Sequence, residues 1–215
     1  MAEARPGRRP AAVVDDTTTG PDRRLRADAQ RNRDSILRAA ESVLAAEGVD
    51  APIDDIARQA GVGVGTVYRH YPTKEALLRA IIVSRIEPMV TAAREACSAA
   101  DPGEAFFRVL RMLSEEFSSF RAVADTIASS GFDMEAAKKD LSRDLKATMA
   151  ELLQRAQQAG RVRTDIAVDD VAMLMAGLGQ VGQIAGDPST RTRCLDLVCD
   201  AMRGKRPHRG AAGKR

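Results

Sequence analysis

The chain has 215 residues, 44% hydrophobic and 29% charged, with a formal net charge of +3. That length and balance fit a globular protein with a substantial apolar core and exclude low-complexity and collagen-like chains. No apolar run is long enough to span a bilayer, and the polar N-terminus lacks a secretory h-region, so a cytoplasmic protein is expected.

Arg5, Arg8, Arg9, Arg23, Arg24 and Arg26 crowd the N-terminal arm, and Lys205, Arg206, Arg209, Lys214 and Arg215 the C-terminal tail. Basic ends on a nearly neutral body suit contact with phosphate; for the tail, solubilising disorder is the preferred reading. Residues 1–26 are therefore expected as a disordered basic arm and 204–215 as a disordered basic tail. Cys97, Cys194 and Cys199 form no metal-ligand cluster, and an odd count argues against a disulfide framework. Cys97 sits in an apolar helical pattern and reads as a small core residue.

The periodicity is helical throughout, giving an all-α fold of about nine helices. The first helix runs from about Ala27 to Glu47, where Ile36, Leu37, Ala40, Val43 and Leu44 form one stripe and Gly48 stops it. A short helix covers Ile53 to Ala60, with Pro52 beside its first turn and Asp54 and Asp55 complementing its dipole. Gly61 ends it, and a third helix covers Val64 to His70. Pro72 breaks the chain, Thr73 caps a fourth helix from Lys74, and Pro88 is expected to kink or split that helix. Asp101-Pro102-Gly103-Glu104 and Asp133 mark two further starts, the latter leading into a long helix that ends at Gly160. Two last helices cover about Val168 to Ala185 and Pro188 to Arg203.

Two short helices joined at Gly61 have the arrangement of a helix-turn-helix. Ile56, Ala57, Val62 and Val67 are the apolar positions that would lock them together, and Gly61 supplies the positive φ of the turn. The second helix would then present its outer face to a major groove.

The run Thr66-Val-Tyr-Arg-His-Tyr-Pro-Thr-Lys-Glu-Ala-Leu77 is more specific. With Ile56-Ala-Arg-Gln-Ala-Gly-Val62 and the Ile36-Leu37…Ala40…Gly48 helix, it closely resembles the TetR family of bacterial transcriptional regulators. The resemblance extends from about Arg33 to Ile82. It implies a homodimer, a three-helix DNA-binding domain (about 27–73) and a helical regulatory and dimerisation domain (74–203). It also implies a small ligand that binds in the second domain and releases operator DNA, most often in a repressor. By position, Tyr68, His70 and Lys74 match family residues that touch the DNA backbone, and their side chains are good phosphate donors. Val64, Gly65 and Thr66 match base-reading positions. Arg69 is a solvated or phosphate-facing charge, and free N–H groups at Thr73 and Lys74 can face an anion.

The base-reading set is thin. Gly63, Val64 and Gly65 offer no side-chain hydrogen bonds, and only Thr66 can donate or accept. Val64 can touch a thymine methyl; Asp54 can accept from cytosine, though its dipole role is the simpler reading. Contacts from Arg23, Arg24 and Arg26 in a neighbouring minor groove, and DNA shape, are expected to add specificity.

In the last two helices, the stretch Ala176 to Gly186 is rich in small residues, which suits close helix approach. The resemblance places the dimer interface there, and Leu174, Leu178, Val181, Gly182, Leu195, Val198 and Met202 are assigned to it and to the local core. Phe106, Leu110, Phe117, Phe120, Phe132, Met134, Met149 and Met173 are the candidates for lining a pocket for a small apolar or amphipathic ligand. No catalytic residues, metal site or cofactor are expected: the two histidines, His70 and His208, belong to no nucleophile pair. The glycines at 61, 63 and 65 follow no strand, so they make no dinucleotide loop. The alternative to a ligand-responsive regulator is an architectural or protein-interaction factor of the same fold without an effector.

Overall fold

The computed structural model describes residues 21–185 and 187–204, without the side chains of 21–24, 182, 183, 185 and 188. Eight helices build it: α1 Pro21–Glu47, α2 Ile53–Ala60, α3 Val64–His70, α4 Lys74–Cys97, α5 Pro102–Ser129, α6 Met134–Gln158, α7 Val168–Ala185 and α8 Pro188–Met202. Among the described residues the only extended pairing is an isolated bridge between Val162 and Arg203. No helix among them is long and apolar enough to cross a membrane.

Two boundaries differ from the sequence expectation. Helix α1 begins at Pro21, so the last residues of the expected arm are helical. Proline suits that first position because its missing N–H is one the helix leaves unpaired there. Helix α4 runs unbroken through Pro88, which accounts for eight helices instead of about nine. Pro88 is exposed, so water can take the carbonyl it frees, while Ile81, Ile82, Met89 and Val90 are buried on either side of it. Packing before and after the proline holds the helix together.

The expected starts of α5 and α6 carry working caps. Asp101 accepts from the Glu104 amide at 3.0 Å, and Asp133 from the Ala136 amide at 2.9 Å. Asp187 caps α8, and donors on Ser189 and Thr190 hold its carboxyl down to about 2. Only the carboxylate caps in this way. Its contribution is therefore complete above the ordinary carboxylate range and is lost as pH falls toward about 2.

The core divides into two clusters. Phe106, Phe107, Leu110 and Leu152 anchor one, which joins the second half of α4 to α5–α8. Cys97 lies in it, with its thiol pKa raised by burial. The second joins α1–α3 to the first half of α4, but it also takes in Val123 and Ile127 of α5 and Ala137 of α6. The expected domain boundary at 73/74 falls inside this second cluster. The N-terminal helices thus share a core with the α5–α6 turn.

Candidate nucleic-acid interface

Helix α2 ends at Gly61, whose φ of 70° only glycine adopts freely. The chain turns there through a bond from the Val62 amide to the Ala57 carbonyl at 3.0 Å. Ile56, Ala57 and Val67 are buried and Val62 is half-buried, so all four expected locking positions lie in the packed region of the turn. The Ser35 hydroxyl donates to the Ala60 carbonyl at 3.0 Å and fastens the end of α2 to α1.

The sequence places two tyrosines close together in the motif, and the structure separates their environments. Tyr68 is 48% exposed, whereas Tyr71 is 4% exposed and belongs to the second core cluster. Tyr71, not Tyr68, is the packed aromatic at the α3–α4 junction; its hydroxyl meets no hydrogen-bond partner among the described residues. Arg69 and Gly65 are exposed like Tyr68, while Val64, Thr66 and His70 are half-buried. A Cβ added at Gly63 or Gly65 would meet nothing within 4 Å, so packing within the chain does not require glycine at either position. The start of α3 is open to close approach from outside.

Thr73 caps α4, its hydroxyl accepting from the Ala76 amide at 3.1 Å. Lys74 and Glu75 open the helix, and the Glu75 backbone amide, with help from Thr73, keeps the Glu75 carboxyl below its usual range. Tyr68, Arg69, His70, Thr73 and Lys74 therefore occupy the end of α3 and the start of α4. Thr73→Ala should lower stability by about 1 kcal/mol, measured by thermal or urea unfolding. Arg26 is exposed on α1; the side chain of Arg24 lies outside the described residues.

A cavity of about 690 Å³ opens between α4, α5, α6 and α7. Leu110, Phe117, Phe120, Met134 and Met149 line it. Three other pocket candidates do not. Phe106 is fully buried in the core, edge-on to Phe107 at 5.4 Å. Phe132 packs against the second cluster. Met173 is 74% exposed, because the cavity takes the α7 face carrying Val171, Ala172, Met175 and Ala176 and Met173 points elsewhere. Sequence reasoning missed the charged lining residues Arg85, Arg121, Lys138 and Lys146.

The interface candidates also divide. Leu178, Leu195 and Met202 are buried within the chain, so they supply core and no outer surface. Leu174 is exposed, and Val181 and Val198 are half-buried. Gly182 lies outside the described side chains. The exposed apolar surface of these helices is Met173, Leu174, Ile184 and Leu197.

Residues 36–81 match the family model described as bacterial regulatory proteins, tetR family, and residues 101–204 match the transcriptional regulator SbtR-like C-terminal domain. The fold is similar to the TetR transcription regulatory protein from Mycobacterium vanbaalenii, with 38% identity, a TM-score of 0.67, and coverage of 83% of this chain and 99% of that one. A TetR transcriptional regulator from Streptomyces coelicolor is 31% identical, with a TM-score of 0.66 and coverage of 81% of this chain and 99% of that one. The HTH-type transcriptional regulator SrpR of Pseudomonas putida is 44% identical over 68 residues, which are 31% of this chain and 32% of that protein. The chain thus spans about a third of SrpR's length, and 51% of that of a second Pseudomonas putida relative, TtgW.

Proposed function

The chain belongs to the TetR family of bacterial transcriptional regulators, and from that premise we propose that it is a homodimeric repressor released from operator DNA by a small molecule. The observation that carries the DNA-binding half is the exposed face of α3 continued into the capped start of α4. Tyr68, Arg69, His70 and Lys74 supply phosphate donors along it, with the free amides at Thr73 and Lys74. Val64, Gly65 and Thr66 enter the major groove, where the open backbone at Gly65 allows close approach. Arg24 and Arg26 add charge from the start of α1. Dimerisation uses the outer face of α7 and α8 and sets the spacing of two recognition helices. The largely apolar cavity between α4 and α7 favours an effector-responsive protein over an architectural one.

This placement can be tested without a known operator. Affinity of the full chain for random-sequence duplex DNA is measured by fluorescence anisotropy across a salt series. Wild type should show a steep fall of affinity with salt. Lys74→Met should reduce the slope of log K against log salt by about 0.9, because one phosphate fewer is neutralised. Tyr68→Phe should weaken binding about tenfold at every salt concentration, since an uncharged donor to phosphate releases no counterion. Removing residues 1–20, which lie outside the described residues, should reduce the slope further if the arm tracks the backbone. A wild-type slope in Lys74→Met together with wild-type affinity in Tyr68→Phe would contradict this placement of DNA on α3 and α4.

A further inference from the structure

The cavity has an apolar wall and a cationic excess. Arg85, Arg121, Lys138 and Lys146 line it, against two acids, Asp125 and Glu135. Arg121 pairs with Asp125 and Lys138 with Glu135, each within one helix, and Lys146 reaches Asp169 on α7. Arg85 is placed differently. Its guanidinium carbon lies 5.6 Å from the ring centroid of Phe120, which also lines the cavity. Its Nε donates to Oε1 of Glu41 at 3.0 Å, its Nη2 donates to Oε2 of the same carboxylate, and its Nη1 reaches Glu116 at 3.5 Å.

Neither Glu41 nor Glu116 lines the cavity. Glu41 is on α1, the helix against which the helix-turn-helix packs, and its side chain is only 14% exposed. Arg85 thus contacts the cavity and holds α1 to α4 through a two-point, partly buried pair. Such a pair is geometrically specific, and a rival anion for the same guanidinium acts directly on it. The apolar setting continues the connection. Val123 and Ile127 pack with the N-terminal helices on the same stretch of α5 that gives Phe120 and Ala124 to the cavity.

We propose that the effector is an amphipathic anion whose apolar body lies along Leu110, Phe117 and Met149 and whose negative group is received by Arg85 in competition with Glu41. This rests on the cavity being the effector site. Arg85 is then the residue that selects the effector's charge and the one that transmits its arrival. An anion on the guanidinium weakens its hold on Glu41, loosens α1 against α4 at that point, and shifts the helix-turn-helix out of its DNA-competent placement. Linkage makes the effect reciprocal: DNA, by favouring the Arg85–Glu41 bridge, lowers affinity for the anion.

The experiment uses two fluorescent probes on the full chain. Anionic 1-anilinonaphthalene-8-sulfonate and neutral N-phenyl-1-naphthylamine share an aromatic body and differ by the sulfonate. Wild type should bind the sulfonate about tenfold more tightly, the value of one charge-assisted contact. Arg85→Met should abolish that preference, so that the two probes bind with equal affinity. Glu41→Gln should strengthen sulfonate binding about threefold or more by removing the competitor, and weaken DNA binding with no probe present. Both probes binding wild type equally would overturn the anionic class while leaving the cavity as an effector site. A tenfold preference retained in Arg85→Met would overturn the role of Arg85, and unchanged sulfonate and DNA affinities in Glu41→Gln would overturn the competition. If neither probe binds wild type, the effector-site reading falls and the proposal with it. Should circular dichroism show Arg85→Met to be unfolded, the Glu41→Gln titrations decide alone.

Discussion

Ile184→Asp combined with Leu197→Asp should yield a folded monomer whose operator affinity is lower by about 10²- to 10⁴-fold. Ile184 is 87% exposed and Leu197 69% exposed, so neither contributes much to the fold of a single chain. With Met173 and Leu174 they are the exposed large apolar residues of α7 and α8, the face that the proposed dimer would bury. Two aspartates in that interface would face two more across the two-fold axis, and desolvating four carboxylates without partners is prohibitive. DNA binding should weaken because a monomer would offer only one short helix, α3, to the DNA. Sedimentation velocity gives the oligomeric state, anisotropy gives the affinity, and an unchanged unfolding midpoint at low protein concentration shows that the protomer is intact. A double variant that remains dimeric would move the interface elsewhere.

Ile56→Ala should destabilise the protein by about 2–5 kcal/mol, the range for emptying a fully packed aliphatic site. Ile56 is 1% exposed and sits among α1, α2 and α3 in the cluster that holds Ala57, Val67 and Leu44. That cluster also includes Val123, Ile127 and Ala137, so the destabilisation should reach beyond the three N-terminal helices. Urea unfolding followed by far-ultraviolet circular dichroism measures the change. DNA affinity at temperatures where the variant is still folded should approach wild type, because Ile56 is buried and presents nothing to the DNA. A change in affinity without a change in stability would contradict its role as a packing residue.

The DNA-binding half was legible because its signals are local. Gly61 at the turn and Thr73 at the cap act through neighbours a few residues away, and the apolar positions 56, 57 and 67 follow the helical period. Helices α2 and α3 accordingly begin and end where periodicity and caps place them. Pro88 misled because its cost is local while its compensation is tertiary: buried residues on both sides keep α4 continuous through the proline. The same limit applied to the body. An apolar pattern identifies a buried stripe but not whether the stripe meets core, cavity or a second chain. Phe106 and Phe117 lie on the same helix, yet one is sealed in the core and the other lines the cavity at 44% exposure. Arg85 carried no sequence signal, since its meaning depends on Glu41, which lies 44 residues earlier in the chain.

Selecting bound sequences from a random duplex pool with the full protein tests most directly whether this chain reads operator DNA as a symmetric pair of recognition helices. The expected product is a two-fold symmetric site with half-sites about 34–36 Å, or a multiple of that spacing, apart. Preference within each half-site should be weak, because among Val64, Gly65 and Thr66 only Thr66 carries a hydrogen-bonding side chain. Recovery of unenriched sequence, or of a single asymmetric half-site bound with full affinity, would contradict it.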